Sequence, residues 1–414
     1  MATTELTERA PTAGIPGARW ALTVALGVLI LLSVSTGLSP ARAADEDLAG
    51  DRLARATMLA LPSTYRVDVT LRIPRIRTRS GLVLEVPRGD ALSERGTATA
   101  VSPGGWLVSA THLVAPSART MARIGYQQWQ RAQGVTIGDA EARRWVEDSG
   151  AVAVGGRVLS LRVTQSEARG ERHDPRHWTA TVRRTATGAD LSLLRIRAPE
   201  APALALVDDL TAGTPVVSLG FGRADAWDDP SRPEGFPAVR HGRIERSGML
   251  ADPPRAATVV SMDVQHGDSG GPVVDDLGHL RGIVVLRGEG GGIMEQAGAV
   301  RALLAAQGIE NDEGAVGSLY RRALARLWAL DTADARTDLQ RVRDLYPDHP
   351  AVEGQLARAA DMSGAHYRLS GPARRRGVLL GVGILALLVA TALALRLVWL
   401  SGGAEHRHPD GLRR

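Results

Sequence analysis

The stretch His266-Gly267-Asp268-Ser269-Gly270-Gly271-Pro272-Val273-Val274 decides the reading of this 414-residue chain. A serine set among glycines and followed by Pro and an apolar pair needs a mechanical reason. A serine hydroxyl is a poor nucleophile at neutral pH and must give its proton to a neighbouring imidazole. Gly267 leaves the backbone bare where a carbonyl would enter, so its N–H and that of Ser269 can converge on a developing oxyanion. Gly270, Gly271 and Pro272 permit a tight turn into the strand that follows.

Two segments upstream supply the missing groups. The first runs Ser109-Ala110-Thr111-His112 at the end of an apolar strand, within Gly96 to Val114; the second is Ala189-Asp190-Leu191-Ser192-Leu193-Leu194. A His after a strand or an Asp before an apolar run is commonplace when met alone. Together with the serine turn they fit a base, an orienting carboxylate and a nucleophile, in the order His112, Asp190, Ser269.

At these three motifs the chain resembles the trypsin-like serine peptidases, most nearly their bacterial disulfide-free branch, over about residues 65–308. The resemblance implies a mainly β fold of two six-stranded antiparallel barrels with the triad in the cleft between them. It implies an oxyanion hole from Gly267 and Ser269 and no cofactor or metal. The chain departs from the family in three ways. The His112–Asp190 separation is long, an excess matched by an insertion at 118–150; no PDZ domain follows the barrels; and no activation sequence is evident. Asp268 holds the position that in extracellular members pairs with a newly cut N-terminus. Here it is expected to hydrogen-bond locally, without zymogen cleavage.

Specificity is read from three positions. Asp263, six residues before Ser269, matches the pocket floor that pairs with substrate Arg or Lys in trypsin-like relatives. Beyond Gly282-Ile283-Val284-Val285-Leu286 the wall continues with Arg287, or with Gly288 if the register shifts by one. A carboxylate floor favours a basic side chain, whereas Arg287 would neutralise or occlude it and leave a small or apolar preference. His266 reads as a loop residue near the substrate channel. Arg172-His173-Asp174-Pro175-Arg176-His177 reads as a solvated loop, without support for a metal site.

The surrounding pattern agrees with a β body. Tyr65 to Ile73 alternates apolar and polar residues at period two, and short β-rich runs punctuated by Gly and Pro continue to about Gly308. Residues 118–150 read as a helical insertion. Beyond Glu313 the apolar residues recur at three- and four-residue steps in Ser318 to Leu330, Thr332 to Leu345 and Pro350 to Met362. This tetratricopeptide-like segment, 309–365, is little more than one repeat where arrays need about three. It is expected to be a helical stalk, the alternative being a surface for a protein partner through helices 318–362.

Two uncharged apolar runs set the expected compartment. Trp20 to Leu38 precedes Ala41-Arg42-Ala43, so residues 1–43 form either a cleaved signal peptide or an uncleaved signal anchor. A linker over 44–59, the peptidase domain over 60–308, the helical segment and a basic linker over 366–376 follow. The run Gly377 to Leu395 lies between Arg374-Arg375-Arg376 and Arg396; with Leu397 to Leu400 it reads as a transmembrane helix over 377–400, contacting lipid, with a tail over 401–414. The Arg residues on its two sides roughly cancel. The N-terminal signal therefore places residues 44–373 outside the cytoplasm, in a protein of the cell membrane.

Composition excludes other classes. Cys is absent, which rules out disulfides, a thiolate nucleophile and Cys-ligated metal. The 50 basic residues, all Arg, are interleaved with 45 acidic ones, so the net +5 is no nucleic-acid footprint. The expectation is a membrane-tethered serine endopeptidase acting on protein or peptide substrates. Its rivals are an esterase on the same acyl-transfer machinery and a catalytically silent peptidase-like scaffold. Intact Ser and His favour the enzyme.

Overall fold

In the computed structural model, which describes residues 51–166, 176–222, 235–250, 255–288, 291–363 and positions 390, 391 and 393, two β bodies occupy the middle of the chain. The first is a seven-stranded antiparallel sheet built on β1 (Thr64–Arg72), whose alternation buries Tyr65, Val67, Val69 and Leu71. The rest of the body comprises β2 (Arg75–Arg77), β3 (Val83–Glu85), β4 (Leu92–Ser102), β5 (Trp106–Ala110), β6 (Val152–Val154), β7 (Arg157–Gln165), β8 (His177–Thr179), β9 (Thr181–Thr185) and β10 (Leu191–Arg195). The main sheet runs β8-β7-β1-β4-β5-β10-β9, and β3-β2-β6 make a small sheet beside it. The second body is a closed six-stranded barrel of β11 (Pro215–Gly220), β12 (Ala238–Leu250), β13 (Arg255–Val260), β14 (Pro272–Asp275), β15 (Leu280–Gly288) and β16 (Gly291–Gln296), in the order β11-β12-β13-β16-β15-β14.

The expectation of two closed barrels is therefore corrected to one closed barrel and one open body. The break lies at Ala180, between β8, paired with β7, and β9, paired with β10. The Ala180 N–H still donates to the Leu161 carbonyl at 2.9 Å, in register with the Arg162–Thr179 pair, so the pairing with β7 runs up to that residue before the chain passes to β10.

Helices complete the body. The insertion is the pair α2 (Ala118–Ala132) and α3 (Asp139–Ser149), which follow the short helix α1 (Thr111–Val114). Ser117 caps α2 by accepting the Thr120 N–H, and Tyr126 stacks on Trp145 with centroids 3.7 Å apart. Ala122, Ile124 and Val146 enter the core of the first sheet, so the insertion is part of that body.

Residues 51–60, which span the end of the expected linker over 44–59 and the first residue of the expected peptidase domain, are helical. Leu53, Ala56 and Ala60 join the core between the two β bodies, while Leu59 joins the core of the helices downstream. Those helices are α4 (Gly314–Trp328), α5 (Thr332–Leu345) and α6 (Val352–Ser363). They do not stand away as a stalk. Asn311 donates to the carbonyls of Val101 and Leu204, Arg321 to those of Leu277 and Gly278, and Tyr346 to Gln165 Oε1, while Arg176 pairs with Asp348 at 2.7 Å. Among the described residues no helix is long and apolar enough to cross a membrane. The runs 20–38 and 377–395 lie outside them, apart from the helical positions 390, 391 and 393, as does most of the Arg172–His177 loop.

Candidate active site

Strand register brings two of the three groups together. β10 runs antiparallel to β5 with Leu191 opposite Ala110, so Asp190 falls beside Thr111 and His112. The Thr111 N–H donates to the Asp190 carbonyl at 3.1 Å, and the His112 N–H to Asp190 Oδ1 at 3.0 Å. His112 Nδ1 lies 2.6 Å from Asp190 Oδ2. The two side chains are 28% and 14% exposed, so the imidazole edge reaches solvent while the carboxylate behind it is shielded.

Ser269 comes from the other body, on the loop before β14. Two buried hydroxyls of β4 reach across to hold that loop: Thr97 Oγ1 donates to the Gly267 carbonyl at 2.8 Å and Thr99 Oγ1 to the Gly270 carbonyl at 2.9 Å. The Thr97 N–H donates to the Ser269 carbonyl at 2.9 Å. Gly96 marks how closely the bodies approach. A Cβ there would lie 2.1 Å from Leu113 Cδ2 and 3.2 Å from the Ser269 carbonyl oxygen, so a side chain would have to push Leu113 aside and press on the serine loop. Ser269 Oγ donates to the Val285 carbonyl at 3.2 Å, not to the imidazole. Hydrogen bonds of unliganded sites are commonly looser than in the reacting complex.

Gly267 has φ +103, and a Cβ would meet the Phe221 carbonyl at 2.6 Å. Among the described residues neither its N–H nor that of Ser269 is taken up by another acceptor, whereas Asp268 N–H bonds Gln265 and Gly270 N–H bonds Val284. The two unengaged amides are the pair an oxyanion hole requires.

Asp268 is 2% exposed and does more than bond locally. Besides the Gln265 N–H at 2.8 Å it accepts the Gly222 N–H at 2.8 Å and pairs with Arg240 Nε of β12 at 2.5 Å. Arg240, Thr97 and Thr99 were not singled out from sequence. The available signal for Arg240 is its parity: it shares the inward side of β12 with Ala238 and Ile244, where a cation demands a buried anion.

The specificity positions fare differently. Asp263 is exposed between Met262 and Val264, which are 1% and 2% exposed. Met262 N–H bonds the Val260 carbonyl and Val264 N–H the Met262 carbonyl, and these two tight bends turn the apolar residues inward and Asp263 outward. The desolvated carboxylate expected at a pocket floor is thus absent from that position. Arg287 and Gly288 end β15 opposite Gly292 and Gly291. His266 Nε2 faces Glu94 Oε2 at 3.5 Å.

All three motifs fall within one matched span. Residues 96–283 match the trypsin-like peptidase domain. That match, over less than half of the chain, and the topology above, one closed barrel, one open β body and added helices, together describe a mainly β, trypsin-like fold. No curated protein matches the chain. Two solved structures are similar in part: the inactive form of the Rv3671c protease, at 19% identity over 61% of this chain and 91% of that one with a TM-score of 0.36, and the inactive form of a serine-to-alanine variant of Rv3671c from M. tuberculosis, at 19% identity over 61% and 90% with a TM-score of 0.36.

Proposed function

We propose that the chain is a serine endopeptidase, tethered to a membrane, that hydrolyses peptide bonds on the extracytoplasmic side. The observation that carries the chemistry is the 2.6 Å contact of His112 Nδ1 with Asp190 Oδ2, in a body whose Gly96 lies between Leu113, the residue after His112, and the Ser269 carbonyl. With Nδ1–H donated to Asp190, Nε2 is left as the acceptor. The reaction requires Ser269 Oγ to leave the Val285 carbonyl for Nε2, which then removes its proton as Oγ attacks the substrate carbonyl carbon. The former carbonyl oxygen gathers negative charge beside the N–H groups of Gly267 and Ser269. The imidazolium then protonates the leaving amine, the C–N bond breaks, and an ester on Ser269 remains. A water that gives its proton to His112 attacks this ester and releases the acid and the serine.

Tethering rests on the apolar run 377–400 and its flanking Arg residues, and the compartment on the run 20–38. One observation favours a catalytically silent scaffold instead, namely the engagement of Ser269 Oγ by Val285. A fluorophosphonate probe separates the two. Wild-type chain is expected to label and to cleave casein, the Ser269→Ala chain to do neither, and removal of residues from Gly371 onward to release active enzyme from membranes. An unlabelled wild type, or a Ser269→Ala chain that hydrolyses at the wild-type rate, refutes the peptidase reading.

A further inference from the structure

Glu295 is fully buried. It lies in β16 opposite Ala257 of β13 and Ile283 of β15. Met294 beside it fills the interior of the closed barrel, so Glu295 projects from the barrel's outer face. Solvent would normally bathe that face. Here the neighbouring side chains of the seam, Leu191, Ile283, Val285 and Ala297, belong to the apolar core shared by the two β bodies. A carboxyl group placed in such a seam must answer a specific donor. It does: Glu295 Oε1 accepts the Asp190 N–H at 3.0 Å.

We propose that Glu295 is a positioning residue for the His112–Asp190 pair. Asp190 meets His112 through both carboxylate oxygens and Thr111 through its carbonyl, and all three contacts belong to the first β body. The bond to Glu295 ties the same residue to the second body, which also carries Ser269. Orientation of the carboxylate that steers the imidazole is thereby coupled to the barrel that presents the nucleophile. Losing the acceptor frees the Asp190 backbone to rotate, and a displacement of this kind misdirects Nε2 without touching the substrate-binding surface.

This inference rests on the triad reading, and its test separates the two. In the full chain, burst amplitude with p-nitrophenyl acetate counts competent sites, and steady turnover divided by that count gives kcat per site. Glu295→Ala and the volume-filling Glu295→Leu are expected to lower kcat per site about 10- to 100-fold while KM stays within about twofold. Glu295→Gln, whose amide oxygen can accept the same N–H, is expected to recover most of that loss. A purely structural role predicts a smaller burst with unchanged turnover per site; that result overturns the proposal, as does a Gln chain as impaired as the Leu chain, or folding only with Gln. A wild-type chain that gives no burst and no fluorophosphonate label overturns the triad reading beneath it.

Discussion

Replacing Arg240 by Met tests whether an internal cation holds the oxyanion loop in place. The Asp268 carboxylate is 2% exposed and faces Arg240 Nε at 2.5 Å, with the Gly222 and Gln265 N–H groups at 2.8 Å each. Removing one partner of a buried ion pair costs about 3–5 kcal/mol, because the charge left behind is uncompensated. Two peptide donors remain, so the lower half of that range is expected, unless the loop gives way. Asp268 lies between Gly267 and Ser269, the two residues proposed to donate to the oxyanion, and each such donor is worth about 100- to 1000-fold in kcat. The Arg240→Met chain should therefore lose about 100-fold or more in turnover of p-nitrophenyl acetate and about 3 kcal/mol in urea unfolding. Combining it with Asp268→Asn removes both charges and should restore most of the stability, giving a coupling of about 2 kcal/mol in the double-mutant cycle. Coupling below about 0.5 kcal/mol, with turnover unchanged in Arg240→Met, would refute the argument.

Other perturbations reach the same machinery or its support. Thr97→Val deletes the hydroxyl that donates to the Gly267 carbonyl and accepts the Phe221 N–H, leaving two buried groups unmatched; a loss of about 2–4 kcal/mol in urea unfolding is expected, with Thr97→Ser close to wild type. His349 is 1% exposed, and its burial lowers its pKa from 6.5 to about 3. The unfolded chain gains a proton below pH 6.5 that the fold refuses, so stability is full above 6.5 and falls toward pH 3, by about 2 kcal/mol at pH 5. His349→Leu should remove that acid slope when unfolding is compared at pH 7 and pH 5. Burial opposes the ionisation of Asp275, but hydrogen bonds from His279 and Arg281 prevail and bring it from 3.8 down to about 2. Its contribution is thus present above pH 3.8 and lost as the pH falls through 2; Asp275→Asn should lower stability by about 2 kcal/mol at pH 7, read by the same denaturation.

What the residue order disclosed, and what it hid, follows from the range over which each feature is determined. The serine turn is local: Gly267 and its neighbours are required by backbone geometry within a few residues, and a sequence displays such requirements directly. The alternation of Tyr65 to Leu71 is local in the same sense. Closure of the first sheet depends on where residues 177–185 break, and β9 has every residue exposed, so no apolar period marks its register. The helix over 51–60 was masked by its charges, since only Leu53, Ala56, Leu59 and Ala60 face inward and the cores they fill are assembled from distant strands. Asp263 shows the limit of counting along a chain: the residue number matched a pocket floor, but the bends at Met262 and Val264 rotate its carboxylate to solvent. Arg240 and Glu295 share a subtler obstacle. In a chain whose bases are all Arg, one more Arg has no contrast, and a Glu in a strand is ordinary. Each becomes conspicuous only when parity assigns it to a buried face, because a buried charge must have an assigned partner. The informative search in a β protein is therefore for ionisable residues at inward or covered positions. Here that search leads from β12 to the carboxylate behind the serine loop and from β16 to the backbone of Asp190.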